Sequence, residues 1–521
     1  MKLFFSVLLF SIASFCKAQN EVDIAKYIYQ LEVGDKDDVI KGEADVLGTF
    51  RQAGNQLTLD LKNTNAQKKG MTVQQVNGTG VSGFKHNNDQ LIVSFQKPFQ
   101  VKDSFRIKII YYGIPADGLI ISKNKYGDRT FFSDNWPNRA RHWIPCNDRP
   151  DDKARFEFIV TAPSHYSVIS NGVRIEEKET IDGKKRTHYR EDTPLPTKVM
   201  AVGIAKFATK TFANSPKVVP VSAWVYPKDS TKGFYDYALT PEILNFFSEY
   251  VAPYPYKKLA NVQSKTVFGG MENASAIFYA EGSVTGDRKK EDLLAHEIAH
   301  QWFGDMASEK SFAHLWLSEG FANFLTNYYF EKKYGKEAAN ERWKDQRDEV
   351  IEFAKTSQKP VVDSSSDLMS LLNANSYEKG AWFLHMLRNE VGDQIFQKII
   401  QTYYSQYKGS NAETRDFEEI AEKVSGKELT WFFDQWLYRP GVPELKMSTA
   451  LQNDEFSLTV KQQRKPYRLT LEVDIVGKDN EITRHRFAIS KNEETFTVAI
   501  KATSAQFSLD PETKLLYKLA D

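Results

Sequence analysis

The hydrophobic periodicity of this 521-residue chain changes twice, and that limits the possible fold more than any single residue does. From about residue 22 to 208, short alternating runs such as QLTLDL, QLIVSF, FRIKIIYY, RFEFIV and HYSVIS are separated by glycine, asparagine and aspartate. A period of two fits strands with one buried face, so this part reads as an antiparallel, largely β domain. After Pro220 the spacing becomes three and four, from Gly233 to Tyr250 and again from Asp292 to Gly335, in stretches such as LLAHEIAHQWF and LWLSEGFANFLTNYYF. This helical pattern runs to WFFDQWLYRPG, where Pro440 and Gly441 break it. Alternation returns from Glu444 to Asp521 in FSLTV, RLTLEVDIV, HRFAIS, TFTVAI and FSLD, spaced like the strands of a small sandwich. Single cores stop growing at roughly 250 to 300 residues, so several are expected. The reading is an α+β multidomain chain: a leader over 1–18, an N-terminal β domain over 19–210, a helical block over 211–440 and a C-terminal β-sandwich domain over 441–521.

The leader, MKLFFSVLLFSIASFCKAQN, has one lysine, an apolar run from Leu3 to Phe15 and small residues before Ala18. That is the pattern of a secretory signal peptide, which places the protein in the periplasm or outside the cell. A lipid on Cys16 is the rival reading, although Phe15 is bulky for the position before a lipidated cysteine. No later stretch reaches the ~18 apolar residues of a spanning helix. Loss of the leader removes Cys16 and leaves Cys146 alone, so no intramolecular disulfide is available and stability rests on packing. Cys146 reads as a small buried hydrophobe, since no nearby base nominates it as a nucleophile. Lysine and arginine total 69 against 68 acidic residues, a balance that argues against nucleic acid or an anionic membrane surface as partner. Oligomeric state is not legible.

Chemistry concentrates at residues 296–304, HEIAHQWFG. On a helix, residues four apart share a face, so His296 and His300 can converge on one ion while Glu297, turned about 100° round the axis, stands beside it. A hydrolytic zinc site needs a third protein ligand and an open position for water. Glu319, separated from His300 by eighteen residues in HLWLSEGFANF, lies in an otherwise apolar stretch where an unpaired carboxylate would be costly. A second helix packed ~8 to 10 Å away can deliver it. His314 competes for the third position but projects from a different face.

At these residues the sequence resembles the gluzincin zinc aminopeptidases of the aminopeptidase N family, peptidase family M1. HEIAHQWFGD followed by Glu319 in WLSEGFA matches that family's zinc signature, and three further segments match in order. YPYKKLANVQSKTVFGGMENASAIFY, residues 254–279, resembles its exopeptidase segment; NSYEKGAWFLHMLR, 375–388, its catalytic-tyrosine segment; and RARHWIPCNDRPDDKARFEF, 139–158, an N-domain stretch. The resemblance implies a thermolysin-like catalytic domain holding one Zn2+ on His296, His300 and Glu319, with Glu297 as general base and Tyr377 stabilising the oxyanion. It further implies that Gly269, Gly270, Met271 and Glu272 line the substrate backbone, Glu272 taking the free α-amino group. One departure stands out: where family members place a glutamine or glutamate to share that amino group, FFSDNWPNRARH aligns Trp136, leaving Asp134, Asn135 or Trp136 as candidates to contribute, or Trp136 simply to pack. The family often ends in a large helical domain that closes over the cleft, and this chain's pattern stops at the β tail, so an open cleft is expected. Peptides with a free N-terminus are the implied substrates.

Two other functions are compatible with the zinc helix. A thermolysin-like endopeptidase would use the same residues without Glu272, and a non-catalytic peptide-binding protein would keep a vestigial metal site. A related branch opens lipid epoxides, but no residue argues for it. Aromatics and Met271 near the pocket favour neutral side chains, while the preferred N-terminal residue is not legible.

Overall fold

A computed structural model of the chain describes residues 22–213, 219–452, 454–477, 481–500 and 506–520. The expected signal peptide and Cys16 lie outside the described residues. Among those described, no helix is long and apolar enough to cross a membrane.

The N-terminal part is β-rich, as the alternation implies. Its largest sheet has seven strands in the order Val173–Glu179, Lys184–Leu195, Ala154–Pro163, Val22–Glu32, Ile40–Phe50, Ser104–Ile114 and Gly70–Gly78. In Ser104–Ile114, Phe105, Ile107, Ile109 and Tyr111 point into the core and the residues between them face outward, which is the period of two made physical. Pairing is antiparallel except between Val22–Glu32 and Ala154–Pro163, which run parallel. Cys146 is fully buried, and burial pushes its thiol well above the ordinary range, as for an inert core residue.

The middle block is more than helices. A five-stranded mixed sheet, ordered Ala208–Thr211, Val221–Val225, Leu259–Ser264, Ala276–Ala280 and Gly270–Met271, lies beside them. Leu259–Ser264 is buried on both faces, as is most of Ala276–Ala280, so neither alternates and the periodicity gives no strand there. Helices α1 (Thr240–Tyr250), α2 (Glu291–Ala299), α3 (Trp316–Tyr334), α4 (Lys336–Thr356) and α5 (Gly380–Val391) follow in sequence. The tail forms two small sheets, one of four strands and one of three. Phe456, Leu458 and Val460 from the first and Leu471, Val473 and Ile475 from the second are buried in one core continuous with that of the helical block. No helical domain follows these sheets among the described residues.

A buried ion pair ties the N-terminal part to the helical block. Lys198 Nζ donates to Glu309 Oε1 at 2.5 Å, with both side chains at most 1% exposed. Beside it Lys153 Nζ donates to the carbonyls of Asp305 and Met306, in the turn between α2 and α3. Removing one partner of such a pair strands a charge in low dielectric. Lys198→Met should therefore destabilise by about 3–5 kcal/mol in urea unfolding, whereas the Lys198→Met, Glu309→Leu double variant should recover most of the loss. A single variant as stable as the double would show the pair to be unimportant.

Candidate metal centre and substrate cleft

α2 carries His296, its C-terminal cap His300 follows one turn on, and the first turn of α3 carries Glu319 against them. His300 Nε2 lies 3.0 Å from His296 Nε2, and Glu319 Oε2 lies 3.3 Å from His296 Nε2 and 3.1 Å from His300 Nε2. The Phe303 carbonyl, which can only accept, stands 3.1 Å from His300 Nδ1 and so fixes the proton on Nδ1, turning the Nε2 lone pair toward the other two atoms. Three electron-rich atoms in mutual contact, almost out of water, demand positive charge. Protonation reports the same demand: burial alone would lower His300, yet the Glu319 carboxylate raises it to about 10. Burial would raise Glu319, and the two histidines instead hold it well below the usual carboxylate range. Tetrahedral zinc with ligand distances of about 2.1 Å separates its donors by roughly 3.4 Å, so two imidazoles and a carboxylate at these spacings fit that ion.

Glu297 is buried beside this triangle. Burial pushes its carboxyl well above the ordinary value, Glu272 and Glu319 adding to the effect while His300 opposes it. Gly270 lies directly against it: a Cβ there would sit 2.2 Å from Glu297 Oε1, whereas a Cβ on Gly269 would meet only Leu293 Cδ1 at 3.8 Å. Gly270–Met271 is the edge of the five-stranded sheet and pairs on one side only, with Ala276–Ala280. Glu272 follows; it is buried, lines the same cavity, and its Oε1 has no hydrogen-bond partner.

Its position is held by Gln301, the residue after the second histidine. Gln301 Nε2 donates to the Glu272 carbonyl at 2.7 Å and to Asp305 Oδ2 at 3.0 Å, while Oε1 accepts from the Ser275 amide at 2.7 Å and from the Tyr254 hydroxyl at 3.2 Å. Sequence spacing gave this residue no role, because an amide carries no chemistry of its own.

Tyr377 enters from the π-helical turn Asn375–Lys379 that leads into α5. Its ring lies nearly parallel to that of His296, centroids 6.0 Å apart. Burial, with Glu319 close by, pushes the phenol well above its ordinary value, so it stays a proton donor. The approach depends on two glycines: a Cβ on Gly320 would meet Gly380 carbonyl carbon at 2.8 Å, and one on Gly380 would meet Gly320 Cα at 3.1 Å. α3 and α5 thus touch backbone to backbone, one residue past Glu319 and three past Tyr377.

The three candidates of the departing segment separate. Asp134 accepts from Thr266 Oγ1, the Val267 amide and Arg139, and Asn135 bonds the Thr197 and Met200 carbonyls and the Trp143 indole, so both are fully occupied as struts. Trp136 alone lines the cavity, with edge-on contacts to Phe268 and Phe312. His314 is not in the centre; its Nδ1 is engaged with Thr414 Oγ1 at 2.9 Å. The cavity, about 670 Å³, brings together His296, Glu297, His300, Glu319, Tyr377 and residues 269–272. The His296 side chain is 13% exposed, more than those of His300 and Glu319.

Residues 25–199 match the peptidase M1 N-terminal domain, and residues 235–436 match the peptidase family M1 domain. Probable aminopeptidase 2 of Sulfurisphaera tokodaii is 26% identical over 94% of this chain and 63% of its own length. Glutamyl aminopeptidase of Rattus norvegicus is 29% identical over 61% of this chain and 35% of its own. The chain therefore spans between about a third and two thirds of the length of these relatives. Among solved structures, Legionella pneumophila aminopeptidase A in complex with aspartic acid shares the fold, with a TM-score of 0.82 and 17% identity over 96% of this chain and 60% of that one. Both conserved domains of one family occur here in order, on the β-rich part and on the part that carries the three donors, and the chain belongs to peptidase family M1.

Proposed function

We propose that the protein is a zinc aminopeptidase that removes the N-terminal residue from peptides outside the cytoplasm. One observation carries the exopeptidase reading: Glu272, whose buried Oε1 has no hydrogen-bond partner in the protein, lines the same cavity as the His296, His300 and Glu319 triangle. A buried anionic oxygen left unpaired is expensive unless a ligand completes it. The α-ammonium of a substrate supplies that charge, and no endopeptidase substrate does. Export rests on residues 1–18 alone.

His296, His300 and Glu319 would hold one zinc ion; when bound, zinc supplies Lewis-acid chemistry, acidifying a water and polarising a carbonyl. Glu297 accepts the proton of the attacking water and returns it to the leaving amine, a transfer suited to a carboxyl whose buried setting raises its proton affinity. Tyr377 donates its hydroxyl proton in a hydrogen bond to the developing oxyanion, adding stabilisation without adding charge. The free edge of Gly270–Met271 pairs with the substrate backbone as an extra strand, and Glu272 ends the register by holding the amino group. Trp136 bounds the pocket for the first side chain.

Three measurements test this reading. A free-amine peptide should be cleaved and its N-acetylated form should not; equal cleavage of both would mean a thermolysin-like endopeptidase. Glu297→Gln should lower kcat about 10²- to 10⁴-fold while the protein keeps its zinc, and undiminished turnover would remove Glu297 from the reaction. Gly270→Ala should also cost about a hundredfold by displacing the Glu297 carboxylate, with a much smaller loss for Gly269→Ala, where a methyl group finds room. Similar losses in both would disconnect Gly270 from Glu297.

A further inference from the structure

The cavity has a second charged feature that the reaction does not use. Arg342, on α4, lines it together with Asn323 and Thr326 of α3. Its guanidinium lies over the Phe330 ring, 4.3 Å from Cζ to centroid, and Nε donates to Asn327 Oδ1 at 2.9 Å. Asn327 is itself fixed, its Nδ2 donating to Gln346 Oε1 at 2.7 Å. The plane of the fork is thereby set, yet its two terminal nitrogens make no hydrogen bond among the described residues; the nearest carboxylate, Asp292 Oδ2, is 4.0 Å from Nη1. Burial lowers the proton affinity of Arg342 because Asp292 and Asp345 compensate it only in part. Other charges on this wall are Lys290, Glu349 and Glu378. Burial, with Glu349 adding to it, raises Glu378 to about 8, so near neutral pH it is largely uncharged and opposes an incoming anion little.

We infer that Arg342 is a carboxylate-recognition site in the cleft, engaging the C-terminal carboxylate of a short peptide, or an acidic side chain beyond the scissile bond, through its two free nitrogens. The inference rests on the aminopeptidase reading, because it takes the amino end to be at Glu272. A planar fork with both terminal nitrogens open matches a carboxylate in bidentate fashion, which a lysine does not. The cleft then has an anion for one end of its substrate and a cation for the other. Short peptides, whose two charged ends reach both anchors, are the favoured substrate class.

The test is binding, measured by calorimetry on the zinc-loaded Glu297→Gln chain, which holds peptides without turning them over. Leu-Ala-Ala should bind at least about tenfold more tightly than Leu-Ala-Ala-amide, with Arg342→Gln removing the difference and Arg342→Lys retaining only part of it. Leu-Asp-Ala-amide separates the sources: recovery of the affinity assigns the site to a side-chain carboxylate, and no recovery assigns it to the C-terminus. Equal affinity of all three peptides for the protein that keeps Arg342 overturns the inference and needs no second variant, so a misfolded Arg342→Gln chain cannot obscure the result. That outcome leaves the aminopeptidase reading intact, whereas N-acetyl-Leu-Ala-Ala binding as well as Leu-Ala-Ala would overturn both.

Discussion

Two imidazole nitrogens and a carboxylate oxygen face one another within 3.3 Å, nearly out of water, and such a contact demands a positive charge. The secondary structure around them reads as the means of holding that contact. α2 supplies two atoms by its own pitch, which costs no tertiary precision. The third has to come from α3, and its angle is governed by the turn 300–315, where Lys153 caps the carbonyls of Asp305 and Met306 and Glu309 pairs with Lys198. The N-terminal β part thus braces the connection between the two helices that carry the cluster. Its contribution to the site is mechanical as much as it is a wall of the cleft.

The other groups are placed relative to the triangle by contacts too short to allow alternatives. Gly320 against Gly380 sets the separation of α3 and α5, and with it the distance between Glu319 and the turn that bears Tyr377. Lys379, two residues on, donates to the carbonyls of Arg439 and Gly441, so the same turn is also tied to the start of the C-terminal sheets. Gly270 against the Glu297 carboxylate sets how near the edge strand comes to α2. In each case a missing side chain fixes a distance that a larger residue would hold less closely. On the proposed mechanism, preorganisation of this kind is what Glu297 as proton acceptor and Tyr377 as oxyanion donor require, since a misplacement of an ångström is costly to either.

How far the sequence reveals this differs by the kind of signal involved. The β-helix-β order is legible because one-sided burial writes its period into the chain, as in Phe105, Ile107, Ile109 and Tyr111. Leu259–Ser264 is not, because burial on both faces erases the period. His296, Glu297 and His300 are legible from spacing on a single helix, whereas Tyr377 is one of 24 tyrosines and is reached only through the resemblance. Gln301, Gly320 and Gly380 leave no trace, since an amide and two glycines acquire meaning only from what lies across from them. The departing segment shows the reverse: Asp134 and Asn135 look like chemistry in the sequence, and the fold uses both as structural acceptors and donors.

Gln301 joins the turn that carries His300 to the segment that carries Glu272. It is adjacent to His300 in the chain and bonds the backbone of the Glu272 segment at both ends, at the Glu272 carbonyl and the Ser275 amide. Ser275 has a positive φ of 62°, a conformation that a non-glycine residue keeps only where its surroundings impose it. On the proposed exopeptidase reading, residues are counted from the end of the substrate, so the distance from Glu272 to the His296, His300 and Glu319 cluster has to be held within a fraction of a residue length. Through Gln301 the Glu272 segment is hydrogen-bonded to the residue that follows His300, and on the proposed reading this contact is what holds the register.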